Sequence, residues 1–112
     1  MSKIFPIALK DVIQPTRQEV FFFGTPYGNT DYFEQKMPVW TDFGKKLWYG
    51  IPGADWRGFK VADDTRGVDF DPTTGDRTPS KRGIESARKY LGKRFPGTVS
   101  YTHLTLPTIY SV

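Results

Sequence analysis

Apolar and aromatic residues fall in short runs over the first two thirds of the chain, and in a helical rhythm only once. Val12–Phe23 (VIQPTRQEVFFF) is β-branched and aromatic, with Pro15 near its start. It predicts a strand from about Thr16 to Phe23, stopped by Gly24-Thr25-Pro26. Tyr27–Lys36 is polar and turn-rich, a loop. Pro38–Phe43 (PVWTDF) alternates Val39, Thr41 and Phe43 against Trp40 and Asp42, so a short strand there has two different faces. Gly44-Lys45-Lys46 makes a turn and Leu47–Ile51 (LWYGI) returns, giving a hairpin. Pro52–Gly58 is a second loop. Gly58–Asp63 (GFKVAD) is a further strand, with Phe59 and Val61 on one face and Lys60 on the other. Asp64–Arg77, polar and carrying Pro72 and Gly75, reads as an extended loop.

Thr78–Phe95 predicts the helix. Thr78 can cap it, and Pro79 suits the first helical position, where a missing N–H costs nothing. Ile84, Ala87, Leu91 and Phe95 recur at spacings of three and four, which puts them on one face. Pro96-Gly97 ends it. The expected architecture is α+β: an antiparallel or mixed sheet of about 3–5 strands with one amphipathic helix. Such a sheet buries one face and leaves the other for a ligand.

Composition narrows the chemistry. With 112 residues the chain forms one small domain at most. It has no cysteine, hence no disulfide and no thiolate chemistry, and a single histidine, which argues against a histidine-based metal site. Hydrophobic residues make up 38% and aromatic residues 16%, enough for a packed core and too many for a disordered chain. The net charge of +4 permits an acidic partner without demanding one. No apolar run approaches the roughly 20 residues of a membrane span, and Met1–Lys10 is too short and polar for a secretory signal. A cytoplasmic protein with no membrane, metal or nucleic-acid partner is expected.

Character changes at Gly97. All sixteen Lys and Arg and all twelve Asp and Glu lie before residue 98. The remainder, TVSYTHLTLPTIYSV, is rich in threonine and holds the only histidine, His103. One reading is an edge strand, Val99–Leu106, ended by Pro107. The other is a resemblance: Val99–Thr108 (VSYTHLTLPT) is encoded in order by GTC TCT TAT ACA CAT CTG ACG CTG CCG ACG, which resembles a transposase-library sequencing adapter. On the second reading natural sequence stops near Gly97 or Thr98, residues 98–112 are a translated tail, and His103 carries no function.

Other constellations resolve to structural roles. The glycines of Gly50–Gly58 (GIPGADWRG) lack GxGxxG spacing and open no helix, so no phosphate cradle is expected. Asp69, Asp71 and Asp76 invite a calcium-loop reading, but Thr73, Thr74 and Ser80 stand where ligands and the turn glycine are needed. Without His103 no Ser–His–Asp set exists. Lys81, Arg82, Arg88, Lys89, Lys93 and Arg94 face one acid, Glu85, in the helix. That is a solvated basic face, or a phosphate-binding one where stacking aromatics lie nearby. Trp40, Trp48, Tyr49 and Trp56 cluster around the hairpin, either as core or as the wall of a flat aromatic ligand.

Several motifs occur in a fixed order: Arg17-Gln18, Tyr49-Gly50-Ile51-Pro52, Gly58-Phe59-Lys60-Val61, Asp71-Pro72-Thr73 with Asp76-Arg77, and Arg94-Phe95-Pro96-Gly97. Together they resemble the FAD-dependent amine and amino-acid oxidase family, in the branch of monomeric sarcosine oxidase and N-methyltryptophan oxidase. The resemblance spans about residues 4–97. It implies that 1–97 is a fragment of the substrate-binding subdomain, whose sheet roofs the flavin ring. The half carrying GxGxxG and the segment completing the flavin pocket are then missing, and Met1 is an internal methionine or a downstream start. FAD is the implied cofactor of the full-length parent and is not expected to bind this fragment. The implied parent activity is oxidation of the C–N bond of a small amine or amino acid.

The resemblance also implies two substrate-binding residues and no catalytic or cofactor-binding residue in this stretch. Tyr49 matches a tyrosine facing the substrate. Asp64 stands where sarcosine oxidase has a substrate-contacting histidine. An anionic side chain there favours a cationic amine and disfavours a nearby carboxylate, which puts sarcosine itself in doubt; a solvated loop residue is the plain alternative for Asp64. Two further functions stay open: a small basic α+β binding module, perhaps for nucleic acid, and a truncated reading frame with no function.

Overall fold

The computed structural model describes residues 6–9, 11–25, 27–54, 57–99 and 108–111. A single helical turn, α1 (Pro6–Leu9), precedes four strands: β1 (Arg17–Phe23), β2 (Trp40–Phe43), β3 (Leu47–Ile51) and β4 (Phe59–Asp63). The main helix α2 (Lys81–Arg94), a short helical turn α3 (Pro96–Val99) and a last strand β5 (Thr108–Ser111) follow. The order β2-β3-β4-β1 makes an antiparallel sheet, and β5 adds antiparallel to the outer edge of β1, opposite Arg17–Val20. With α2 against one face, this is a small α+β fold. Trp56, His103 and nearly all of the alternative edge strand Val99–Leu106 lie outside the described residues. Val99 itself ends α3, and the strand that is seen follows Pro107.

Strand alternation sorts the side chains into two layers. Phe21 and Phe23 on β1 stand opposite Val61 and Phe59 on β4, and all four are buried under α2 with Trp48, Ala87 and Leu91. Trp40 and Asp42 share that face, while Thr41 and Phe43 point the other way, as the alternation in PVWTDF predicts. Trp40 and Trp48 are therefore core. Tyr90 of α2 stacks between them, 4.5 Å from Trp48 and 5.8 Å from Trp40 by ring centroids. Phe95 packs 4.9 Å from Trp40, and Tyr32, from the polar loop, stands edge-on to Phe59 at 5.7 Å. This column of rings fixes helix and hairpin to each other.

The strand ladder of β1 continues past a three-residue offset: Arg17 donates its N–H to the Val68 carbonyl (2.9 Å) and Thr16 bridges Asp69. Pro15, which has no N–H, still accepts from Phe70 (3.0 Å), so the strand begins where its donors begin.

The helix begins later than its sequence signals suggest. Ser80, not Thr78, is the N-cap: its hydroxyl accepts the Gly83 N–H at 2.9 Å. Thr78 is held outside the helix because its N–H is taken by Asp76 (2.8 Å), and Pro79 accordingly precedes the cap. The deciding partner comes from far along the chain. Glu19 on β1 accepts both the Ser80 N–H (3.2 Å) and the Ser80 hydroxyl (3.1 Å). Ala87 and Leu91 are fully buried, with Ile84 and Phe95 half-buried beside them. Phe95 forms the C-cap, its N–H on the Leu91 carbonyl at 2.7 Å, and Pro96 follows.

Candidate functional site

The second face of the sheet carries both expected substrate residues. Tyr49 on β3 stands opposite Ala62 on β4, and Val20 on β1 stands opposite the same Ala62. Extending the ladder by two residues puts Gln18, Asp64 and Leu47 in the next row, and the Asp64 N–H donates to the Leu47 carbonyl at 2.8 Å. Tyr49 on β3 and Asp64, the residue after β4, thus lie on one face, one diagonal step apart. The centre of the face, Val20 and Ala62, is buried, and its rim, Thr41, Phe43, Ile51 and Asp64, is exposed.

Asp64 lies exposed just past the end of β4, as the plain alternative of a solvated loop residue has it, and it has a partner. The Gln18 side-chain amide donates to its backbone carbonyl at 3.1 Å and to its carboxylate Oδ1 at 3.4 Å. The sequence places Gln18 in a motif but gives it no task. The signal lay in strand register, since counting two residues from the Val20–Ala62 pair in opposite directions brings Gln18 to Asp64.

Two cations lie over aromatic rings toward the other end of this face. Lys60 Nζ sits 5.0 Å from the Tyr49 ring centroid, and the Arg57 guanidinium 5.7 Å from that of Phe22. Burial, with the Arg57 charge adding to it, holds the Lys60 ammonium below the ordinary lysine pKa. The face is therefore electrically polar along β4, positive at Lys60 and negative at Asp64.

The helix side carries different chemistry. Asp42 accepts from the Tyr90 phenol and from Arg94 Nε, each at 3.0 Å. Burial first, then the hydrogen bond to Asp42 and its charge, push the Tyr90 phenol well above its ordinary pKa, with Arg94 opposing. Asp63 pairs with Lys46 at 3.0 Å. Burial would raise its carboxyl, but bonds from Thr65 and Lys46 outweigh this and hold it below the usual range. A polar groove of about 310 Å³ opens here, lined in part by Arg17, Glu19, Lys46, Asp63, Arg66 and Arg82. Its ion pairs are internal: Arg17 with Glu19 (3.4 Å) and Lys46 with Asp63.

The remaining candidates separate. Asp69 accepts from Gln14 (2.7 Å), Asp71 from the Thr73 N–H (2.8 Å) and Asp76 from the Thr78 N–H, so the three carboxylates serve turns and a clamp. Among the described residues no three His, Cys, Asp or Glu side chains converge on a metal-sized site. Gly50 and Ile51 belong to β3, so the glycines of Gly50–Gly58 open no helix. The start of α2 already carries the Glu19 carboxylate, which would repel a phosphate. The start of α2 therefore offers no open anion site. On the solvent face of α2, Lys81, Arg82, Arg88, Lys89 and Lys93 are exposed and form no ion pair with another described residue.

No protein-family model matches the chain, and no curated protein matches it significantly. No helix among the described residues is long and apolar enough to cross a membrane.

Proposed function

We propose that residues 1–97 are the substrate-binding segment of an FAD-dependent oxidoreductase that oxidises the C–N bond of a small amine or amino acid, and that 98–112 are an adapter-derived tail. FAD, held by the rest of the parent, supplies the hydride-accepting chemistry; this segment recognises and orients the substrate. One observation carries the proposal: Tyr49 and Asp64, singled out by the ordered motifs, share one sheet face turned away from the helix. Tyr49 offers a ring wall and a phenol that donates or accepts a hydrogen bond. Asp64 offers an anionic acceptor at the rim.

Expression of the open reading frame extended from the source DNA tests this. A product that carries flavin absorbance, bleached anaerobically by a small amine, supports it. A colourless product that no amine or amino acid reduces contradicts it.

A second reading, a basic binding module, draws on the five exposed cations of α2 that lack acidic partners among the described residues. DNA or RNA binding that weakens steeply with salt would favour it. Binding that is absent at low salt would remove it.

A further inference from the structure

We infer that the outer edge of β1 is a strand-acceptor site, which takes an uncharged extended peptide of strand-forming residues as an added antiparallel strand, in trans as well as in cis. The inference goes beyond the proposed function and does not depend on it, since it concerns the edge and not the gene that encodes the occupant. Strand geometry shows which backbone groups the edge offers. Arg17 has β5 along one side, opposite Ser111, and sends its N–H to the Val68 carbonyl (2.9 Å) on the other. Backbone groups alternate along a strand, so the N–H and C=O of Gln18 and Val20 turn toward β5. Gln18–Tyr110 and Val20–Thr108 are therefore the pairs that exchange hydrogen bonds, and Arg17–Ser111 and Glu19–Ile109 are not.

Two features make this edge a receptor. With β5 seated, Val20 is 1% exposed. Without it, the Val20 N–H and C=O and one side of an apolar strand face solvent, which is an open template for strand pairing. The second feature is that β1 carries none of the devices that block such pairing. Arg17–Phe23 holds no proline and no lysine, the register with β5 advances without a bulge, and the two charges, Arg17 and Glu19, pair with each other at 3.4 Å. The edge is thus electrically closed and neither attracts nor repels a charged segment. The occupant matches it. Thr108–Ser111 is uncharged, and its Thr, Ile and Tyr are strand-forming residues. Among the described elements, β5 packs against β1. Recognition is main chain to main chain, which selects extended conformation rather than one particular sequence. The covalent link through residues 100–107 raises the local concentration of the strand but adds nothing to the pairing itself.

The test uses the isotope-labelled 112-residue chain, with backbone amide exchange read by NMR. Tyr110→Pro removes an N–H that points at Gln18, whereas Ile109→Pro removes one that points away from β1. Tyr110→Pro should speed exchange at Gln18 and Val20 about tenfold, as for one lost hydrogen bond, and leave Phe21 and Phe23, whose N–H groups face β4, unchanged. Ile109→Pro should leave all four unchanged. The free peptide of residues 106–112, acetylated and amidated so that it carries no charge, is then titrated into the Tyr110→Pro chain. It should shift the Gln18 and Val20 amides saturably and slow their exchange, with a dissociation constant on the order of a millimolar because it lacks the tether. The same peptide carrying Tyr110→Pro should do neither. If Tyr110→Pro unfolds the sheet, both peptides are titrated into the unmodified chain, where the first competes with β5 and should shift the same two amides at about tenfold higher concentration. Equal exchange in the two proline variants, equal shifts from the two peptides, or no shift from either would overturn the inference.

Discussion

Tyr90 couples helix to hairpin through one oxygen of Asp42, which Arg94 also grips. The raised phenol pKa sets a direction. Below pH 10 the phenol is protonated folded and unfolded, and its stabilising contribution is complete; above it the unfolded chain ionises first and that stability drains away. Tyr90→Phe should cost about 1 kcal/mol at neutral pH, because Arg94 still pairs Asp42. It should also flatten the loss of stability above pH 10, read by urea unfolding at pH 8 and above. Lys60 and Asp63 shift equally in both chains and drop out of the comparison. Gly50 gives a second residue-scale prediction. A Cβ there would overlap the Trp40 ring and the Lys60 carbonyl, neither of which has room to yield. Gly50→Ala should destabilise by about 2 kcal/mol and lower the melting temperature, measured by circular dichroism.

At the scale of elements, local pattern made most of the fold legible. Aromatic and β-branched runs bounded by turns, with alternation at β2 and β4, located β1 to β4 within two residues at each end, and the three-four spacing located the buried face of α2. What the pattern did not carry was long-range pairing. Glu19 is sixty-one residues from Ser80, so nothing near Thr78 indicates that a strand carboxylate sets the helix start. The Gln18–Asp64 clamp was hidden in the same way, since register between β1 and β4 is a property of the assembled sheet. Tyr49 and Asp64 were singled out through family motifs rather than through their surroundings, and strand register, which puts them on one face, is not visible in those motifs. If Glu19 sets the helix start, Glu19→Gln should cost about 1 kcal/mol and increase amide exchange in the first turn of α2, while Leu91 and its neighbours stay protected. Equal exchange in both chains would assign the cap to Ser80 alone.

At the scale of the molecule, one side of the sheet is sealed throughout and the other is buried at its centre, Val20 and Ala62, and open at its rim. Phe21, Phe23, Phe59, Val61 and Leu91 are sealed beneath α2, while the far side shows Phe43 81% exposed and Ile51 39% exposed at its rim. Val39, 63% exposed, lies just ahead of β2. Apolar surface at the edge of a sheet binds other apolar surface. The purified chain should enhance ANS fluorescence and self-associate in size-exclusion chromatography as concentration rises, and should retain no flavin absorbance. A dye-silent monomer would mean that the rim is too small to act as a contact surface.

If residues 1–97 are the proposed substrate-binding segment, the parent gene encodes a cofactor-holding half beside it. Reading the source DNA across both ends tests that most directly. The expected result is an open frame running upstream of Met1 through a GxGxxG strand–turn–helix, and genomic codons diverging from the adapter-like string after Gly97. An in-frame stop just upstream of Met1, with the genome itself encoding residues 98–112 and a stop after Val112, would contradict it.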